Sequence, residues 1–260
     1  MSTDGTRIIT FDAQAVQGID ARRRFLSQVA MAAGAVALAP MILKGHGITD
    51  LLAQGTGETE PGLSDTDILN YALTLEYLEA TFYLRADSGG ALPTGATVEG
   101  IDPDGGAAPG SVPGLSGVTA PSPATFSVPD YVRVVRDHEI THVLALQGAL
   151  TTNALARADF SFDFGAAFDS ADNFLNTALV LEDTGVTAYL GQAGNLDDTG
   201  ILGTAGSILG VEAQHASTFR LLLGLPVTVE DGAFDTPRTT TEVLAAAGPF
   251  ITSSPALPFP

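Results

Sequence analysis

"ALTLEYLEATFYL" (72–84) and "ALVLEDTGVTAYL" (178–190) lie over each other without a gap, and that match decides how the chain is read. Ala72 falls on Ala178, Glu76 on Glu182, Tyr83 on Tyr189 and Leu84 on Leu190, which makes an internal repeat. Outward from the first copy, "SDTDILNYALTLEYLEATFYLRAD" (64–87) opens with Ser64 and Asp65 as N-cap candidates. Asp67 follows in the first turn, where a negative charge suits the helix dipole. Ile68, Leu69, Ala72, Leu75, Leu78 and Phe82 recur at helical spacing, and Glu76 stands among them, facing or bordering a core. The second copy, within "DSADNFLNTALVLEDTGVTAYLGQAG" (169–194), reads the same way.

Two further helices are expected. "PDYVRVVRDHEITHVLALQGALTT" (129–152) places Pro129 in a first turn, and "TGILGTAGSILGVEAQHASTFRLLLG" (199–224) is closed by Gly224. Each carries a Glu three positions before a His: Glu139 with His142, and Glu212 with His215. Residues three apart project from the same helix face, so each pair offers a carboxylate and an imidazole to one point. The order is Glu helix, Glu-x-x-His helix, Glu helix, Glu-x-x-His helix.

Glu76, Glu139, His142, Glu182, Glu212 and His215 together resemble the dinuclear centre of the ferritin-like carboxylate proteins, where such a set holds two iron or manganese ions inside a four-helix bundle. Four carboxylates cancel two divalent cations, whereas without metal they are buried like charges that favour taking up protons. The phrases "LNYALTLEYLEATFY", "HEITHV", "LEDTGVTAYLG" and "VEAQHASTFR" are similar to the ferritin-like domain proteins that include desiccation-related and fungal stress-response members. That resemblance covers about residues 64–224. It implies an all-α, ferritin-like four-helix bundle of two repeated helix pairs, with two Fe, or alternatively two Mn, as cofactor.

Residues near these six divide into candidates for support and for packing. Glu79 is an alternative ligand, but its counterpart in the repeat is Gly185, so a solvated or supporting role is expected. Tyr83 and Tyr189, two turns after the ligand Glu candidates, are read first as packing residues and second as hydrogen-bond donors to a ligand carboxylate. His138 is expected to point away from His142's place on the helix, at the surface or in support of the ligands. His46, the fourth histidine, falls in the presumed signal region.

Between the helices, 88–128 is too rich in Gly and Pro for a helix and is expected to wrap the bundle. The crossover 153–168 contains "ADFSFDFGAAF", whose alternating aromatics can seal one side of the core. The tail 225–260 reads as irregular and Pro-rich, with one short helical stretch at "TTEVLAAAG".

With 11 basic and 30 acidic residues the net charge is −19, which repels phosphate backbones and anionic headgroups and argues against nucleic acid or peripheral membrane binding. No cysteine is present, so a metal must be held by oxygen and nitrogen. Hydrophobic content of 45% suits a folded core, while 29 Gly and 15 Pro imply long connections.

"ARRRFLSQVAMAAGAVALAPMI" (21–42) resembles a twin-arginine export signal: Arg22 to Arg24, then Phe25 and Leu26, then a run without charge up to Lys44. Residues 1–50 are therefore read as signal and N-terminal segment and 51–63 as linker, ahead of the bundle at 64–224 and the tail at 225–260. Ala37-Leu38-Ala39 has the form of a cleavage site but precedes Pro40. Removing residues 1–44 leaves 6 basic and 27 acidic residues, or −21. The expectation is an exported protein of the periplasm, exterior or cell envelope, a monomer or homodimer without a stable membrane anchor. It would oxidise Fe(II) or remove peroxide in stress protection, with O2 or peroxide as partner. A dimanganese catalase, or a non-enzymatic desiccation and salt-stress protein with a vestigial site, are the alternatives.

Overall fold

In the computed structural model the described residues are 63–105, 112–120, 126–228 and 234–257. The signal reading, His46 and nearly all of the linker lie outside them. Four long helices form where the repeat places them: α1 (Asp65–Ala86), α3 (Val128–Leu150), α4 (Ala171–Gln192) and α5 (Thr199–Leu222). A one-turn helix, α2 (Val98–Ile101), falls in the insertion, and α6 (Thr240–Ala247) in the tail.

Local chemistry sets each helix start. Ser64 rather than Asp65 is the N-cap of α1: its Oγ accepts from Asp67 N at 3.3 Å, and Asp67 Oδ2 accepts from Ser64 N at 2.9 Å, a reciprocal capping box. Asp65 acts elsewhere, accepting the backbone N–H groups of Asp197 and Asp198 at 2.9 Å and so tying the start of α1 to the entry of α5. Ser127 and Ser170 cap α3 and α4, with Pro129 in the first turn of α3 as expected. Gly224 ends α5 at φ +71°, a left-handed conformation that costs glycine nothing.

α1 packs along α3 and α4 along α5, and the two hairpins meet mainly through α1 against α4. Every residue from 68 to 84 is buried, so α1 has no solvent face, whereas α3 and α5 each keep one. Beside α1, Phe82 gathers Phe164, Phe168 and Phe174 at ring-centroid separations of 5.1 to 5.2 Å.

The insertion wraps the bundle as anticipated, burying Ile101, Val112 and Leu115, although it does contain the short α2 that its Gly and Pro content argued against. Thr97 makes that turn possible by capping Gly100 N at 3.0 Å. Arg85 holds Asp102 at 2.7 and 2.8 Å. Buried Arg157 donates to the carbonyls of Ile101 and Phe160 and to Thr81 at 2.7, 2.8 and 3.0 Å, so the crossover and insertion are stitched to α1.

In the crossover Phe160, Phe162 and Phe164 point inward, sealing the core by simple alternation. The tail is more ordered than its composition suggested. Its β2 (Ile251–Ser253) pairs antiparallel with β1 (Ser161–Phe162), and α6 packs on α4. Arg238 N donates to Thr187 O at 3.2 Å, and a Cβ added to Gly191 would run into the Arg238 carbonyl, so glycine lets the tail lie directly on α4. No described helix is long and apolar enough to cross a membrane.

Candidate metal centre

All four candidate carboxylates, Glu76, Glu139, Glu182 and Glu212, are fully buried, with His142 and His215 at 8% and 2% exposure. Each comes from the middle of a different long helix, and the i, i+3 spacing brings each His beside its own Glu. The structure joins all six predicted residues in two overlapping quartets. Glu76, Glu139, His142 and Glu212 form one, and Glu139, Glu182, Glu212 and His215 the other, with ligand atoms within 4.8 Å of one another in each. Glu139 and Glu212 belong to both quartets. They lie between the two positions, while Glu76 with His142 and Glu182 with His215 close the two ends.

Hydrogen bonding alone does not satisfy this arrangement. His142 Nδ1 lies 2.9 Å from Glu139 Oε2, 3.2 Å from Glu212 Oε1 and 3.3 Å from Glu76 Oε2. One Nδ1 carries at most one hydrogen and cannot serve three carboxylates. His215 Nδ1 is likewise 2.9 Å from Glu139 Oε1 and 3.0 Å from Glu182 Oε2. Glu76 Oε2, Glu139 Oε1 and both Glu212 oxygens accept no well-formed hydrogen bond, although each is buried. Buried oxygens and an imidazole nitrogen converging without enough hydrogens between them match what a hard or borderline cation requires.

The electrostatics agree. Burial pushes Glu76 up to about 7 against the pull of His142. Burial also raises Glu212 well above the carboxylate range, with Glu139 and Glu182 adding to it, and raises Glu182. Glu139 is the exception: burial would raise it, but the flanking His142 and His215 outweigh that and hold it low. Both imidazoles resist burial's downward push. Glu76 and Glu139 drive His142 far above its ordinary value, and Glu182 and Glu139 push His215 up to about 12. The metal-free cage is thus a proton store, and a cation entering it displaces protons.

Tyr83 and Tyr189 adopt the second of their two readings, and they do so crosswise. Tyr83 of α1 donates to Glu182 of α4, and Tyr189 of α4 donates to Glu76 Oε1 of α1 at 2.6 Å. The repeat thus appears twice in the site, each copy steadying the other's carboxylate. Glu79, at 3% exposure, is not solvated. Burial and the four surrounding carboxylates, led by Glu212, raise it well above the ordinary range. Its place depends on Gly185: a Cβ there would lie 3.4 Å from Glu79 Oε1 and only 2.5 Å from Glu212 Oε2.

His138 is at the surface and beside a candidate ligand, as expected, but the ligand is His215 of α5 rather than one on its own helix. Its Nδ1 is 2.9 Å from Nε2 of His215. Four residues on a helix advance the face by only about 40°, so His138 stays on the side of α3 that meets α5. Spacing within α3 could show that face; the partner on α5 is visible only in the fold.

The family model described as "Ferritin-like domain" matches residues 64–225, which span α1 to α5 with all six candidate ligands. The chain belongs to the ferritin-like domain family. Among curated proteins none matches it. For this ferritin-like chain the fold and a buried carboxylate and histidine group able to hold metal are therefore in place, and both arise from the same four helices.

Proposed function

We propose that this ferritin-like protein holds two iron or manganese ions between its helices and uses them to oxidise Fe(II) or remove peroxide in protection against stress. The observation that carries the reading is the pair of quartets sharing Glu139 and Glu212, with buried oxygens that no hydrogen bond satisfies. Glu76 and His142 would hold one cation, Glu182 and His215 the other, and Glu139 and Glu212 would contact both. Once bound, such a pair would supply electron transfer from Fe(II) to peroxide, a reaction that balances as two Fe(II), one hydrogen peroxide and two protons giving two Fe(III) and two waters. Tyr83 and Tyr189 keep Glu182 and Glu76 oriented by donating to them. The aromatic and aliphatic walls around α1 exclude bulk water, which strengthens every charge interaction inside.

Export by the twin-arginine route belongs to the same proposal, supported by Arg22, Arg23, Phe25 and Leu26 and the run without charge behind them. That route carries folded proteins and would let the cage be loaded first in the cytoplasm. Replacing Arg22 and Arg23 by Lys should abolish export; secretion at the normal level would refute it.

The deciding experiment is elemental analysis of protein purified from its native host, beside a Glu139/Glu212 double alanine variant. About two iron per chain, absent from the variant, with Fe(II) consumed on adding peroxide, supports the proposal. Two manganese with peroxide disproportionation would redirect it to catalase chemistry. Neither metal, and none taken up on reconstitution, would overturn it.

A further inference from the structure

The two cation positions are not equivalent, and the difference lies at their edge. His215 Nδ1 faces Glu139 and Glu182 at 2.9 and 3.0 Å, which leaves Nε2 pointing out of the cage. There the His138 ring meets it edge to edge and nearly coplanar, with centroids 5.2 Å apart and 18° between planes, and places Nδ1 at 2.9 Å. An imidazole that gives the Nδ1 lone pair to a cation carries its hydrogen on Nε2, and that hydrogen needs an acceptor. His138 Nδ1, 2.9 Å away, is placed to be that acceptor. His142 has no such arrangement: among the described residues its ring bonds only inward, to the carboxylates. The counterpart of His138 in the second Glu-x-x-His helix is Val211, which has no side-chain acceptor.

We infer that His138 is a positioning residue which, by accepting from Nε2, fixes the tautomer and ring plane of His215 and strengthens the Glu182–His215 position alone. The inference rests on the dinuclear reading above. A partner of this kind normally presents a carboxylate or carbonyl, and losing one typically weakens metal binding by about 10- to 100-fold. Here an exposed imidazole takes the role, so the hydrogen bond from His215, itself only 2% exposed, ends on a residue at the surface.

The test is a Co(II) titration of the metal-free full-length protein, followed by absorption. Wild type should take up two Co(II) per chain. His138→Phe keeps an aromatic ring beside His215 but removes the acceptor; it should bind one Co(II) as wild type does and the other about 10-fold or more weakly. His138→Gln, whose amide oxygen can accept, should recover at least part of the loss. In a His142→Ala background His138→Phe should weaken the remaining cation, whereas in a His215→Ala background it should change nothing. Because His138 is exposed, an unchanged metal-free unfolding transition will show that the variants fold. Two cations bound by His138→Phe with wild-type affinity, an equal loss at both, or an effect that persists without His215 would overturn the inference. A wild-type protein that binds no Co(II) would instead sink the dinuclear reading on which it rests.

Discussion

Gly185→Ala tests the site through a residue that touches no metal. A Cβ at this position would lie 2.5 Å from Glu212 Oε2, where ordinary contact begins at 3.4 Å, so the carboxylate must retreat by about 0.9 Å. Coordination distances tolerate only about 0.2 Å. Glu212 belongs to both quartets, so both cations should feel the shift. A weakening of about 10- to 100-fold at each is expected, or about 1.4 to 2.7 kcal/mol per cation. Without metal the outcome differs. Alanine favours a helix interior over glycine by about 1 kcal/mol, while crowding in a packed core costs about 1 to 3 kcal/mol, so the metal-free stability should move little or fall slightly. The assay is thermal unfolding of wild type and variant with and without saturating Mn(II), together with titration of the metal. The variant should lose much of the metal-dependent rise in Tm while keeping most of its metal-free Tm. Unchanged affinity for both cations would refute the placement of Glu212 between them.

Other outcomes follow from the same geometry. The metal-free protein should lose stability as pH rises from about 5 to 8. Glu76, raised from 4.5 to about 7, and the histidines, raised from 6.5, hold more protons folded than unfolded, so their contribution fades as pH climbs. Glu139, held low, contributes in the opposite sense but only below about pH 4.5, outside this window. Added cation should reverse the trend, because deprotonation then favours binding; Tm measured across pH with and without Mn(II) checks both signs. Tyr83→Phe and Tyr189→Phe each leave one buried carboxylate oxygen, Glu182 Oε1 or Glu76 Oε1, without its donor and should cost about 1 to 3 kcal/mol in denaturant unfolding of the metal-free protein, to similar extents given the repeat. Gly191→Ala forces a methyl against the Arg238 carbonyl, so limited proteolysis should cut the segment from 234 to 257 faster than in wild type while α1 to α5 stay protected.

What could be read without a fold was whatever a helix decides by itself. Ser64, Asp67, Pro129 and Gly224 act on groups within a turn of their own positions, and spacing of three converts Glu139 with His142, and Glu212 with His215, into shared faces. The repeat extended that local logic to Glu76 and Glu182, because equal positions in two copies of one helix meet equal surroundings. Only the tertiary structure decided what crosses between helices. Tyr83 reaches Glu182 rather than Glu76, Glu79 fits because Gly185 has no side chain opposite it, and His138 finds His215 on another helix. In the tail the short helix at 240–247 is legible for the same local reason, and what it packs against is not. The pairing of β1 with β2 and the seat of α6 on α4 depend on partners about 90 and 60 residues away in sequence, whose backbone groups and apolar faces no local pattern reveals.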